Sequence, residues 1–207
     1  MRRTRIIASL VAVLLCGTAA LAQNSADWPR YTFGELFSIA VPGTLELRDP
    51  DTAVGKFMDS GRKTYSMKMG EIERGTTTVF WPGLGSSRYA RIMVNLASQP
   101  EITQSLLASL TEADMKELDA SWKQGNVQMG KMAGTTVRWI GSWKEKYSGK
   151  YGFHLAYQRS GLDGDIRVDQ YKIYDRGKEI SITISYRISE ASTWKADLGE
   201  VIKSLRF

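Results

Sequence analysis

The stretch EISITISYRISEASTWKADLGEVIKSLRF, Glu179–Phe207, decides the fold. Ile180, Ile182, Ile184, Tyr186 and Ile188 alternate with Ser181, Thr183, Ser185 and Arg187. Successive side chains of a β-strand point to opposite faces, so this alternation predicts a strand with one apolar face. The period then lengthens. Trp194, Leu198, Val201, Ile202 and Leu205 fall on one stripe of a helix, with Ser192 or Ser189 available to cap it. A strand and a helix in succession, each apolar on one side, are expected to bury those sides against each other.

Working upstream, Asp175-Arg176-Gly177-Lys178 reads as a hairpin turn with glycine where φ > 0 is wanted. Strands are predicted at Thr135–Lys146, Tyr151–Gln158 and Asp165–Tyr174. Val137, Trp139 and Trp143 are expected on one face of the first. Phe153, Leu155 and Tyr157 share a face of the second. A parity change between Val168 and Tyr171 predicts a bulge in the third. A short strand is predicted at Val127–Met132.

Before these strands the pattern is helical. Ile102, Leu106, Leu107 and Leu110 repeat at helical spacing, and Thr111 restarts the helix as N-cap with Asp114 in the box position. Met115, Leu118 and Trp122 form its stripe, and Gly125-Asn126 is expected to stop it. Arg88–Ala97, Thr76–Trp81 and Tyr65–Met69 read as strands. Asp49–Lys63 reads as a loop with a helical turn near Val54–Met58. Phe37, Ile39 and Val41 line a strand that ends at Pro42-Gly43, and Leu45 and Leu47 continue as another. The order predicts an α+β domain: an antiparallel β-sheet covered by a central helical segment and a C-terminal amphipathic helix.

The N-terminus carries an address. Arg2, Arg3 and Arg5 precede an apolar and small-residue run from Ile6 to about Ala20, and Ala20-Leu21-Ala22 fits a signal-peptidase site. Residues 1–22 are therefore expected to leave as a signal peptide, with 23–207 a single domain. Of 207 residues, removal of 22 leaves 185, enough for one core. Lipid anchoring through Cys16 is the alternative. Leu15 stands before it where lipoprotein signals usually have a small residue, and signal-like sequence continues to Ala22. Cys16 is the only cysteine, so cleavage removes disulfides and thiolate chemistry together. Three arginines and no acid leave with the leader, lowering the formal charge from +6 to +3. That is a solubility charge and gives no reason to expect nucleic-acid binding. No further transmembrane segment is expected.

Chemical motifs are sparse. His154 is the single histidine, on the strand face opposite Phe153, Leu155 and Tyr157. Asp165 and Asp169 fall near it in the predicted sheet, which makes an acid–base role conceivable beside a plain hydrogen-bonded histidine. The Gly83-Leu84-Gly85-Ser86-Ser87 loop lacks the lysine and following helix of a phosphate loop. No Gly-x-Ser-x-Gly elbow is present. Asp163-Gly164-Asp165 with Asp169 lacks a calcium-loop ligand ladder. No metal or other cofactor is expected. Trp139 and Trp143 lie near Lys144, Lys146 and Lys150, and aromatic groups beside cations serve recognition. These five residues are the candidate partner-binding set, a solvated hairpin tip over core tryptophans being the plainer reading.

The element order resembles the fold shared by the PsbP extrinsic proteins of photosystem II, the Ran-binding nuclear-import factor and bacterial DcrB-like envelope proteins. The strand FSIAVPG (Phe37–Gly43) resembles the family's opening strand. The final strand, tryptophan-bearing helix and serine–hydrophobe close (Ile180–Phe207) resemble its ending. The resemblance implies a PsbP-like α/β/α sandwich and a binding role without catalysis. With the leader, it predicts a periplasmic or secreted binding or assembly protein of the bacterial cell envelope. Its partner would be an unidentified protein or an anionic envelope component. Two alternatives stay open: a small-ligand or lipid carrier with a cavity between sheet and helix, and an envelope hydrolase.

Overall fold

The computed structural model describes residues 25–48, 77–82 and 86–207. The signal peptide, the loop and helical turn expected in 49–63 and the strand expected at 65–69 lie outside the described residues. So do residues 83–85 of the Gly83–Ser87 loop.

Two hairpin strands, β1 (Arg30–Phe33) and β2 (Phe37–Ala40), pair with each other. The main sheet contains β3 (Leu45–Arg48), β4 (Thr77–Pro82), β5 (Ala90–Ser98), β6 (Val137–Tyr147), β7 (Lys150–Arg159), β8 (Ile166–Asp175) and β9 (Lys178–Arg187). Its order is β3-β4-β5-β9-β8-β7-β6, antiparallel throughout. Helices α1 (Gln104–Ser109) and α2 (Glu112–Met132) cross one face and pack on β7 and β6. Helix α3 (Ala191–Lys203) lies on the other face, against β9 and β2. The architecture is the α+β sandwich expected from the sequence.

The core follows the Glu179–Phe207 pattern. Ile180, Ile182, Ile184 and Tyr186 share a buried cluster with Trp194, Leu198, Val201, Ile202 and Leu205. Phe37, Ile39 and Val41 close it from the hairpin side. The polar face of β9 is buried too, with Ser185 at 0 % exposure. Ser181 and Thr183 are buried with it, so both faces of β9 are covered. Ser181 accepts from Gln170 Nε2 (3.1 Å), and Ser185 Oγ meets Tyr89 Oη (3.3 Å). A second cluster joins Leu107, Phe153, Leu155 and Tyr174 under α1 and α2.

Four local expectations are corrected. Helix α2 does not stop at Gly125-Asn126 but runs to Met132, so Val127–Met132 is helix rather than strand. An interior glycine costs about 1 kcal/mol. Tertiary contact overrides it here: Asn126 Nδ2 donates to Trp122 O (2.9 Å), and Trp122 packs edge-on against Phe153 at 4.9 Å. The helix ends where Gly134 takes φ +68°.

The bulge expected in β8 is absent. Its register is unbroken from Ile166 to Asp175 against β9. The parity change arises because β8 is buried on both sides, with Val168 on one face and Ile173 in the core cluster of the other. A register shift falls instead in β6, between Trp139 and Gly141. It turns Trp139 and Trp143, expected on one face, to opposite faces. Finally, neither Ser189 nor Ser192 caps α3. Glu190 stands at the N-cap and spends its carboxylate on Tyr89 N–H (2.8 Å) and Trp194 Nε1 (3.1 Å). The Thr111–Asp114 capping box forms as the sequence predicts.

Gly152 marks a close approach in the sheet. A Cβ there would meet Lys172 O at 2.6 Å and Ile173 Cγ1 at 3.0 Å. Gly152→Ala is expected to destabilise the protein by about 1–3 kcal/mol, the usual cost of overpacking. A urea titration checks this, and an unchanged midpoint would mean that β7 and β8 separate freely.

Candidate functional site

The sheet face that α3 covers at β9 continues onto β8, β7 and β6. There the inward positions of β8 change from apolar to polar: Arg167, Asp169 and Tyr171 alternate along one side. The register sets Ile182, Tyr171, His154 and Trp143 in one row across four strands. The row begins in the core and ends in solvent, where Trp143 is 42 % exposed.

The rings in this row stack in turn. His154 lies flat on Tyr171, with centroids 4.6 Å apart and planes 12° apart. Trp143 tilts over His154 at 5.1 Å. The Trp143 indole also lies over Gly141, where a Cβ would come within 3.1 Å of Cζ2. Gly141 has φ +158°, a conformation that residues with a Cβ rarely adopt, so it supplies backbone freedom as well as space. Bulge, glycine and histidine together hold the indole flat.

Beside the rings is a charged network. Arg167 donates twice to Asp169, Nε to Oδ2 at 2.8 Å and Nη2 to Oδ1 at 2.7 Å. His154 Nε2 lies 2.8 Å from Asp169 Oδ1, and its Nδ1 lies 3.8 Å from Glu145 Oε1. Tyr147 Oη donates to Glu145 Oε2 at 2.8 Å. Burial pushes the Asp169 carboxyl up, but the bonds from Arg167 and His154 outweigh it and hold Asp169 below the ordinary carboxylate range. The same pairing holds Arg167 above its usual value. Burial raises Tyr147 and Tyr171 well above the usual phenol range, so both stay protonated.

His154 and Asp169 thus meet, as their strand positions suggested. Asp165 has no bond to His154; its carbonyl accepts from Ile188 N (2.8 Å). Asp163 pairs with Arg187 at 3.2 Å. Among the described residues, no group of His, Cys, Asp or Glu is placed to hold a metal ion.

The five residues of the candidate partner set do not form one surface. Trp139 faces α2, donates from Nε1 to Asp119 Oδ1 (3.0 Å) and stacks with Tyr157. Lys144 caps the end of α1, donating to Leu110 O at 2.6 Å. Lys146 lies over the Tyr151 ring at 4.5 Å. Lys150 sits on the opposite face, bonded to buried Asp175 at 2.7 Å. Trp143 alone joins the ring-and-charge cluster. Glu145, Arg167 and Tyr171 were missed by the sequence reading. Their signal was the alternation of polar residues along an inward strand face.

A cleft of about 280 Å³ opens between α3 and the β8–β9 pair. Arg167, Asp169, Tyr171, Tyr186, Lys195 and Leu198 line it. It lies where the carrier reading requires a cavity, but its lining mixes charge with aromatic and aliphatic groups.

No protein-family model matches the chain, and comparison with curated proteins finds no match. Among solved structures, the chain is similar to the cyanobacterial PsbP protein (CyanoP) of Synechocystis sp. PCC 6803. The identity is 14 %, the TM-score 0.55, and 86 % of this chain and 91 % of that one are covered. LpqN of Mycobacterium tuberculosis, involved in cell-envelope biogenesis, aligns at 10 % identity and a TM-score of 0.46, over 86 % of this chain and 84 % of its own. A Pseudomonas aeruginosa protein of unknown function, PA94, aligns at 9 % identity and TM-score 0.46, over 86 % and 96 %. The last two scores are too low to carry an argument. The chain has a PsbP-like fold.

Proposed function

We propose that this chain is an exported, non-catalytic binding or assembly protein of the bacterial cell envelope. Its contact surface is the open sheet face around Trp143. The observation that carries this is the indole itself, exposed at a mid-strand position and packed over Gly141 and His154. A packed, exposed tryptophan is a typical interface anchor, because little entropy is lost when a partner covers it. The cluster beneath it supports a scaffold role. Asp169 aligns His154 much as a dyad carboxylate would, but the other imidazole nitrogen faces Glu145 rather than a serine, threonine or cysteine nucleophile. The leader supports export, and among the described residues no helix is long and apolar enough to cross a membrane.

Two measurements test the reading. N-terminal sequencing of the protein from an envelope fraction is expected to begin at Gln23; an intact Met1, or a lipid-modified chain beginning at Cys16, would overturn the processing. A photo-crosslinking residue at position 143 is expected to give a discrete adduct in living cells, and one at Gln124 on α2 none. Equal labelling from both positions would mean that the β6–β8 face is not the contact surface.

A further inference from the structure

We propose that the cleft between α3 and β8–β9 binds a small organic anion: one carboxylate or phosphate head on a flat apolar body. This site adjoins the Trp143 surface, sharing Arg167, Asp169 and Tyr171 with the cluster behind it, and depends on no assumption about location. Apart from Asp169, the polar groups lining the cleft can all donate hydrogen bonds. Arg167 and Tyr186 stand directly opposite each other in the β8–β9 register. Arg167 spends Nε and Nη2 on Asp169, and its Nη1 has no bond to the described residues. Tyr186 lines the cleft, and its hydroxyl, which is not buried, has no hydrogen-bond partner among the described residues. The Tyr171 hydroxyl is equally unpartnered there, and Lys195 on α3 has no ion pair among the described residues.

Asp169 is the one carboxylate in the lining, and it already accepts two bonds from Arg167 and one from His154. Arg167 and Asp169 offset each other, so Lys195 is the one uncompensated charge in the lining. A ligand that brings acceptors and negative charge completes this arrangement; one that brings donors does not. Ile184 and Leu198 supply the apolar wall. Gly199 lines the cleft from within α3, where glycine is costly, and a Cβ there would meet nothing within 4 Å. Its place in the lining keeps the space open. A volume of about 280 Å³ is at the small end for ligand sites, which limits the body to roughly one ring.

The test is an amide NMR titration of the purified protein with benzoate, phenyl phosphate, inorganic phosphate and benzamide. Benzoate or phenyl phosphate is expected to give saturable shifts confined to Tyr171, Tyr186, Lys195 and Gly199. Neutral benzamide and bare phosphate should bind at least about tenfold more weakly, a difference of about 1.4 kcal/mol. The tighter of the two organic anions identifies the head group. Lys195→Glu, at an exposed position, should weaken binding about tenfold or more while leaving the fold intact. Gly199→Leu should abolish binding by filling the cleft, with thermal stability kept or raised. The proposal is overturned by the absence of saturable cleft shifts at millimolar ligand. It is equally overturned by benzamide binding as tightly as benzoate, by bare phosphate matching phenyl phosphate, or by unchanged binding in Gly199→Leu.

Discussion

Ending the chain after Glu190 is expected to abolish cooperative folding. The deletion removes α3 and the tail, and with them Trp194, Leu198, Val201, Ile202 and Leu205, all between 0 and 8 % exposed. Each such side chain contributes about 1.5–3 kcal/mol when buried. Together they rival the whole stability of an ordinary domain, about 5–15 kcal/mol. The loss extends beyond the helix. Ser204 Oγ accepts from Ala40 N (2.8 Å), and Arg206 exchanges backbone bonds with Ser38, so the deletion also unties the β1–β2 hairpin. Calorimetry of the truncated and full chains checks this. A sharp transition near the full-length midpoint would show that α3 is peripheral.

Asp169→Ala is expected to cost about 1.5–3 kcal/mol, the range for losing hydrogen bonds between charged groups, because the pair is partly buried. Arg167 would lose both of its bonds to Asp169, and His154 would lose its partner at Nε2. The penalty comes from the stranded guanidinium more than from the lost attraction. Replacing both members, Arg167→Met with Asp169→Leu, should therefore recover most of the stability. A double variant as unstable as Asp169→Ala would locate the cost elsewhere. The pH dependence follows from the same geometry. The folded carboxyl of Asp169 titrates below its unfolded value, so the native state holds fewer protons there. Its stabilisation is complete above the unfolded pKa, near 3.9, and is lost as pH falls through that value and the lower folded one. Asp169→Asn should lack this part of the acid-induced loss. Identical acid slopes in the two proteins would contradict the assignment.

The candidate site was only partly legible in advance. Placing His154 opposite Phe153, Leu155 and Tyr157 follows from strand parity alone, and so does setting Asp169 on its side. Arg167 and Tyr171 belong to the same alternation. They were obscured because β8 carries Ile166 and Val168 on one face and Ile173 on the other, so its parity reads as broken. The lysines illustrate the opposite failure. Lys144, Lys146 and Lys150 are close in sequence around a hairpin, yet they serve a helix end, an aromatic ring and a buried aspartate on two different faces.

The sequence by itself determined the α+β class, the turn at Asp175–Lys178, the Thr111 capping box and the pairing of β9 with the final helix. These rest on periodicity and short-range bonds, which involve residues near one another along the chain. Only the tertiary structure decided that α2 continues through Gly125, because the packing that overrides a weak helix position comes from Phe153, far along the chain. Only the tertiary structure decided that the bulge lies in β6 rather than β8, since a bulge is a mismatch between two strands and neither strand records it alone. It also decided that an indole, an imidazole and a phenol form one row, because that row runs across the strands, perpendicular to the direction in which sequence is read.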